Sequence, residues 1–202
     1  MRTTSNWLYS IIGVLLLLAA CSPGGTSETH YQQGKMLAGQ SRSAEAMREY
    51  LLAVEADDDA EWVTKAVSEL GHLSMNRHDY VQAREYFGKV WLMAAEQEDL
   101  PQMVLAQRDM GRCRRAEKQA DEALRCFATA DSLLTAAGAD SLRNYVYPEY
   151  ISLLLSEGRG AEARQLVRLL PVDRRSGPSC LVAGKFYAEQ QQLDSAMYFF
   201  RR

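Results

Sequence analysis

The sequence predicts an all-α protein built from helical hairpins, and three observations carry that expectation. One frame of residue types returns along the chain: Gly71 is followed twelve residues later by Ala83, then by Phe87 and Val90, and the same spacing links Gly111 to Ala123, Phe127 and Ala130. Upstream it links Gly34 to Ala46, Tyr50 and Ala53; downstream it links Gly184 to Ala196 and Phe200. A degenerate copy has Ile151 in the glycine position, then Ala163, Val167 and Leu170. Within the copies, apolar residues recur at three- and four-residue steps, as at Val63, Val67, Leu70 and Leu73, the mark of one helix face. No sustained apolar–polar alternation bounded by turns competes for a strand.

The N-terminus reads as a targeting segment. Arg2 supplies a positive start, and Ile11 to Leu18 is a short apolar run ending in Leu18-Ala19-Ala20-Cys21. This resembles the lipobox of bacterial lipoproteins, which implies cleavage before Cys21 and a diacylglyceryl group on its sulfur. A short transmembrane anchor is the competing reading, but Trp7 to Ala20 falls short of the roughly 20 residues a bilayer needs. The expected division is a signal peptide over residues 1–20, a lipidated cysteine and flexible tether over 21–27, and a repeat domain over 28–202. Ser22 after the cysteine resembles an outer-membrane rather than an inner-membrane sorting signal.

The repeat domain then proceeds in order. The first unit spans about Ser27 to Asp58, with Tyr31, Gly34 and Leu37 on its first helix and Ala46, Tyr50, Leu51 and Val54 on its second. Ser43 is a candidate N-cap, and the carboxylates of Asp57, Asp58 and Asp59 suit the start of the next helix. The second unit runs to about Asp99 and turns at Asn76-Arg77-His78-Asp79. The third, to about Gly138, carries Met103, Met110, Leu124 and Leu134 besides its frame residues. The fourth, to about Val172, has Pro148 inside its first helix, where loss of one backbone bond should kink or break it. The fifth opens near Gly177 and is incomplete at Arg202, leaving Met197, Phe199 and Phe200 as open apolar surface, so residues after about Asp173 are expected to be poorly ordered in the isolated chain. A fragment of a longer protein, a docking end and a frayed helix are the alternatives for that surface.

A glycine twelve residues before an alanine sets two small side chains on facing helices, and the aromatic one turn later is expected to fill the gap against the next unit. This arrangement resembles the tetratricopeptide repeat (TPR), with Leu70-Gly71 matching its Leu-Gly pair, Ser74 standing where a tyrosine is expected, and Gly184 with Tyr187 matching the later part of that helix. The resemblance implies a right-handed superhelical solenoid of TPR-like helix-turn-helix repeats. Two departures stand out. The steps from Ala83 to Ala123 to Ala163 are 40 residues against the family's about 34, and the fourth copy lacks its glycine. Longer helices or longer links would absorb the difference.

Composition and motifs narrow the function. The chain has 202 residues, 47% of them apolar, with 5 prolines and 13 glycines, as expected of one folded array. A formal net charge of -3 argues against a general nucleic-acid or anionic-membrane binder, while leaving room for a local basic patch. No phosphate loop or nucleophile elbow is present, and His30, His72 and His78 lack ligand-spaced partners, so neither enzyme nor metal site is expected. No cofactor is expected beyond the covalent lipid on Cys21. Cys113, Cys126 and Cys180 match no metal or redox spacing; buried free thiols are favoured, with a Cys113–Cys126 bridge conceivable.

The TPR resemblance places ligand binding on the concave wall lined by first helices. The residues there that flank the small glycine face are Lys35; Lys65, His72 and Asn76; Arg108, Arg112 and Arg115; and Lys185. Arg108, Arg112 and Arg115 share a helix face and can hold carboxylates through paired charge-assisted bonds. Some family members hold C-terminal carboxylates of partner peptides with Lys, Asn and Arg there. The expected partner is therefore a protein or peptide with an acidic or C-terminal segment, besides the bilayer holding the lipid. The competing reading is a solvated face whose arginines pair with Asp109 and Glu117. The function expected is a scaffold in the cell envelope of a bacterium; the alternative is the sensing ectodomain of a larger TPR-containing regulator truncated after residue 202.

Overall fold

A computed structural model describes residues 25–170 and 177–201. The expected signal peptide and the lipidated Cys21 lie outside the described residues. Among those described there are ten α-helices and no strand: α1 (Ser27–Gly39), α2 (Ser43–Ala56), α3 (Ala60–Asn76), α4 (Tyr80–Glu96), α5 (Leu100–Ala116), α6 (Ala120–Ala137), α7 (Arg143–Ser156), α8 (Gly160–Leu169), α9 (Gly177–Glu189) and α10 (Leu193–Phe200). A 3-10 turn, Asp140–Leu142, precedes α7. The chain divides into two compact units, residues 1–66 and 67–202, and the division falls within α3.

In the first unit, α1 and α2 pack with Ala46, Tyr50 and Ala53 buried. Ser27 begins α1 fully buried, donating from Oγ to the Ala53 carbonyl at 2.8 Å and from its backbone N–H to Asp58 at 2.9 Å. Hydrogen bonding from the Ser27 side chain, and then from its backbone N–H, holds the Asp58 carboxyl below its ordinary pKa. The aspartate run is thus divided: Asp58 reaches back to the start of α1, and Asp59 caps α3 through the Glu61 N–H at 2.9 Å. Ser43 is not an N-cap; that position belongs to Arg42, without a side-chain capping bond. Leu51 faces outward at 41% exposure, because it lies one step off the buried Ala46–Tyr50–Ala53 stripe.

In the second unit the recurring frame explains itself sterically. A Cβ built on Gly71 would lie 2.6 Å from the Phe87 ring, and one on Gly111 3.0 Å from the Phe127 ring; Gly184 meets Phe200 in the same way. In the first unit Gly34 meets Tyr50 at 2.6 Å. The aromatic therefore covers the glycine of its own hairpin and, as expected, also reaches the next: Phe127 stacks on Tyr150 at 5.7 Å, and Phe87 clusters with Cys113. The fourth hairpin exchanges the two volumes. Ile151 supplies the bulk on the first helix, Val167 recedes on the second, and both are buried in one cluster around Phe127, Tyr147, Leu154 and Phe186. Ser74, fully buried in the expected tyrosine position, is satisfied by Gln82 at 3.2 Å.

The step from Ala83 to Ala123 is absorbed by helix length, α4 and α5 having 17 residues each, whereas the step to Ala163 combines the 18-residue α6 with the 3-10 turn ahead of a 14-residue α7. The hairpin turns keep one register, each with a left-handed residue five positions before the second-helix alanine: Ser41, His78, Lys118, Gly158 and Gln191. Pro148 neither breaks nor ends α7, which runs through it from Arg143 to Ser156. Asp79 and Asp99 cap α4 and α5. In the last hairpin Phe199 is half-buried and stacks on Tyr187 at 5.3 Å, so the open apolar surface of α10 is Leu193, Met197, Tyr198 and Phe200, each about half exposed or more.

Candidate functional site

The first helices of the second unit, α3 from Val67 onward, α5, α7 and α9, carry six of the eight candidate residues: His72, Asn76, Arg108, Arg112, Arg115 and Lys185. Lys35 and Lys65 lie in the first unit on an aromatic pair, Tyr31 and Trp62, whose rings are 5.3 Å apart. The Lys65 ammonium sits 4.0 Å from the Trp62 ring centroid and 2.5 Å from Glu61, and that of Lys35 lies 6.0 Å from the Tyr31 centroid.

The arginines of α5 are arranged by an acid that the helical repeat places among them. Asp109, 2% exposed, accepts from Arg108 Nε at 3.0 Å and Arg108 Nη2 at 2.7 Å, and from Arg112 at 3.1 Å. His72 reaches within 3.8 Å of the same carboxylate while packing edge-on against Phe87 at 5.1 Å. Arg112 also lies 3.8 Å from Glu149, and Arg115 donates to Glu149 at 2.7 Å. Glu117 does not serve these arginines; it pairs with Arg84 at 2.6 Å and Arg114 at 3.9 Å.

These contacts form a ladder. Glu69, Asp109 and Glu149 stand two residues before the small position of their frames, at 40-residue steps, and His72 and Arg112 stand one residue after it. The His72–Asp109 and Arg112–Glu149 pairs are therefore the same contact in successive hairpins, each at 3.8 Å. The two rungs differ in burial. The Asp109 side chain is 3% exposed, so losing its cations would leave an uncompensated buried charge costing about 3–5 kcal/mol. The Glu149 side chain is 34% exposed, and an ion pair so open to water contributes about 0–1 kcal/mol.

Three open depressions meet at Arg115. One of about 290 Å³ is lined by Met75, Tyr80, Arg112, Arg115, Ala116 and Glu149. A second, about 210 Å³, has Pro148, Leu181, Val182 and Lys185 around Arg115 and Glu149. A third, about 390 Å³, lies toward Lys118, Ser152 and Glu157. Chemically, this wall offers guanidinium N–H groups between two apolar walls, suited to a carboxylate flanked by apolar side chains. Met75, Tyr80, Glu149 and Leu181 were missed in the sequence; the 40-residue recurrence of the acids was the signal that would have found Glu149.

Among the described residues no group of three or more His, Cys, Asp or Glu is placed to hold a metal ion. Among the described residues Cys113, Cys126 and Cys180 form no disulfide, and the first and last are buried. Burial, with Asp109 and Glu117 nearby, pushes the Cys113 thiol up to about 11, and burial raises Cys126 as well. No helix among the described residues is long and apolar enough to cross a membrane.

No family model and no curated protein sequence matches this chain. Solved structures do. PilF of Pseudomonas aeruginosa superposes with a TM-score of 0.66 at 18% identity, over 88% of this chain and 74% of its own. The apo form of RapI gives 0.71 at 13% identity over 85% of this chain, which spans only 51% of RapI. A putative kinesin light chain of Podosopora anserina with nearly identical TPR-like repeats gives 0.67 at 14% identity, over 86% and 91%. The fold is that of the TPR-like helical repeat proteins.

Proposed function

We propose that the protein is an interaction scaffold of the bacterial cell envelope, tethered to a membrane, with the outer membrane favoured, by lipid on Cys21. It binds a protein partner along the wall of α5, α7 and α9. The observation that carries this reading is the meeting of three open depressions at Arg115, with Arg112 and Lys185 beside it. A partner segment lays a side-chain or C-terminal carboxylate against Arg112 and Arg115 and sets apolar side chains against Met75–Tyr80 on one side and Pro148–Leu181–Val182 on the other. His72 and Arg108 hold the wall's shape through Asp109, and Asn76 and Lys185 supply further donors. Lys35 and Lys65 offer a separate cationic surface on the first unit. The role requires no cofactor, no metal and no nucleic acid.

Crosslinking in cells, followed by identification of the captured proteins, tests the groove, with an Arg112→Ala/Arg115→Ala variant as control. Loss of a captured protein in the variant is expected; unchanged capture would overturn the groove. For the tether, Cys21→Ser is expected to move the protein out of the membrane fraction, and unaltered partition would overturn it.

A further inference from the structure

Resting on that groove reading, we infer that Glu149 is an internal stand-in for the partner's carboxylate. Its side chain sits where a bound carboxylate would, donated to by Arg115 at 2.7 Å and lying 3.8 Å from Arg112. It lines two of the three depressions, dividing the Met75–Tyr80 side from the Leu181–Val182 side. In the preceding rung, the corresponding acid is buried and held by Arg108 and Arg112. The Glu149 side chain is about one third exposed and is held by two arginines that are themselves 37% and 42% exposed, so water and incoming ligands reach the pair. An exposed ion pair of this kind exchanges at little cost. Arg112 stays in place during the exchange because Asp109 still holds it at 3.1 Å.

Two consequences follow. At rest Glu149 offsets part of the positive charge of Arg112 and Arg115, which limits binding of stray anions. A partner's carboxylate exchanges with Glu149, and apolar contacts on either side strengthen the exchange, so Glu149 weakens binding of every anion and favours partners that bring both.

The test uses a fluorescein-labelled hexaglutamate peptide and its hexaglutamine counterpart, with fluorescence anisotropy on wild type, Glu149→Gln, Glu149→Ala and Glu149→Gln/Arg115→Ala at fixed low salt. Both single Glu149 variants are expected to bind hexaglutamate about fivefold more tightly than wild type, the size of one exposed ion pair. Hexaglutamine should not respond, and the Arg115→Ala addition should remove the gain. If wild type binds hexaglutamate and neither Glu149 variant tightens it, the stand-in role is overturned while the groove survives. If no variant binds hexaglutamate, the groove reading falls and this inference with it. Circular dichroism melts check that each variant is folded, and Glu149→Ala repeats the test should Glu149→Gln fail to fold.

Discussion

Arg108 grips both carboxylate oxygens of Asp109, at 3.0 and 2.7 Å, although the two residues are adjacent on one helix. Neighbours in a helix point about 100° apart, so the contact needs the long arginine side chain to wrap back over its successor. With Arg112 on the third approach, Asp109 is the anchor of the wall. Asp109→Ala should therefore destabilise the chain by about 3–5 kcal/mol, read as a shift in the urea midpoint. Asp109→Asn should cost less but still loosen Arg108. Near wild-type stability of Asp109→Ala would show that the cluster does not hold the wall.

The exchange of bulk between hairpins predicts a non-additive pair. Gly71→Ile alone drives a branched side chain into the Phe87 ring, which a mere Cβ already approaches to 2.6 Å. It should cost about 3 kcal/mol or more, given that small overpacking steps cost about 1–3 kcal/mol. Phe87→Val alone leaves a cavity at a cost of about 2–4 kcal/mol. Together they reproduce the Ile151–Val167 arrangement, and a double-mutant cycle should return a favourable coupling of about 2 kcal/mol.

Lys118 is exposed and holds a φ of 62° at the same turn position where the fourth hairpin uses Gly158. Side chains in the left-handed region cost about 1 kcal/mol, partly offset by the freedom glycine adds to the unfolded chain. Lys118→Gly should raise stability by about 0.5 kcal/mol, and a lowered melting temperature would contradict this.

Cys113 links burial to pH. With its thiol pushed up to about 11, about one in a thousand is ionised at pH 8, so DTNB should react slowly until urea opens the fold. The sign for stability follows. The folded thiol holds its proton more tightly than the unfolded one, so its contribution is intact below the ordinary value of 9.0 and declines as pH rises toward 11. Cys113→Ala should flatten the stability profile across that alkaline window.

The sequence by itself determined the repeat architecture, because the frame that recurs is made of packing residues and such residues must alternate in size to let two helices approach. It also located the turns, since each hairpin reverses at a constant distance before its second-helix alanine. Tertiary structure decided the geometry of the candidate site. Arg108, Arg112 and Arg115 share a face by periodicity alone, but which acids meet them depends on how successive first helices are stacked. That stacking pairs Arg112 and Arg115 with Glu149, 34 residues beyond Arg115, and leaves Glu117 to Arg84. Burial separates the two acid rungs of the ladder, Asp109 and Glu149, and no local pattern distinguishes them. Their difference in exposure arises only when neighbouring helices cover one carboxylate and leave the other open to water.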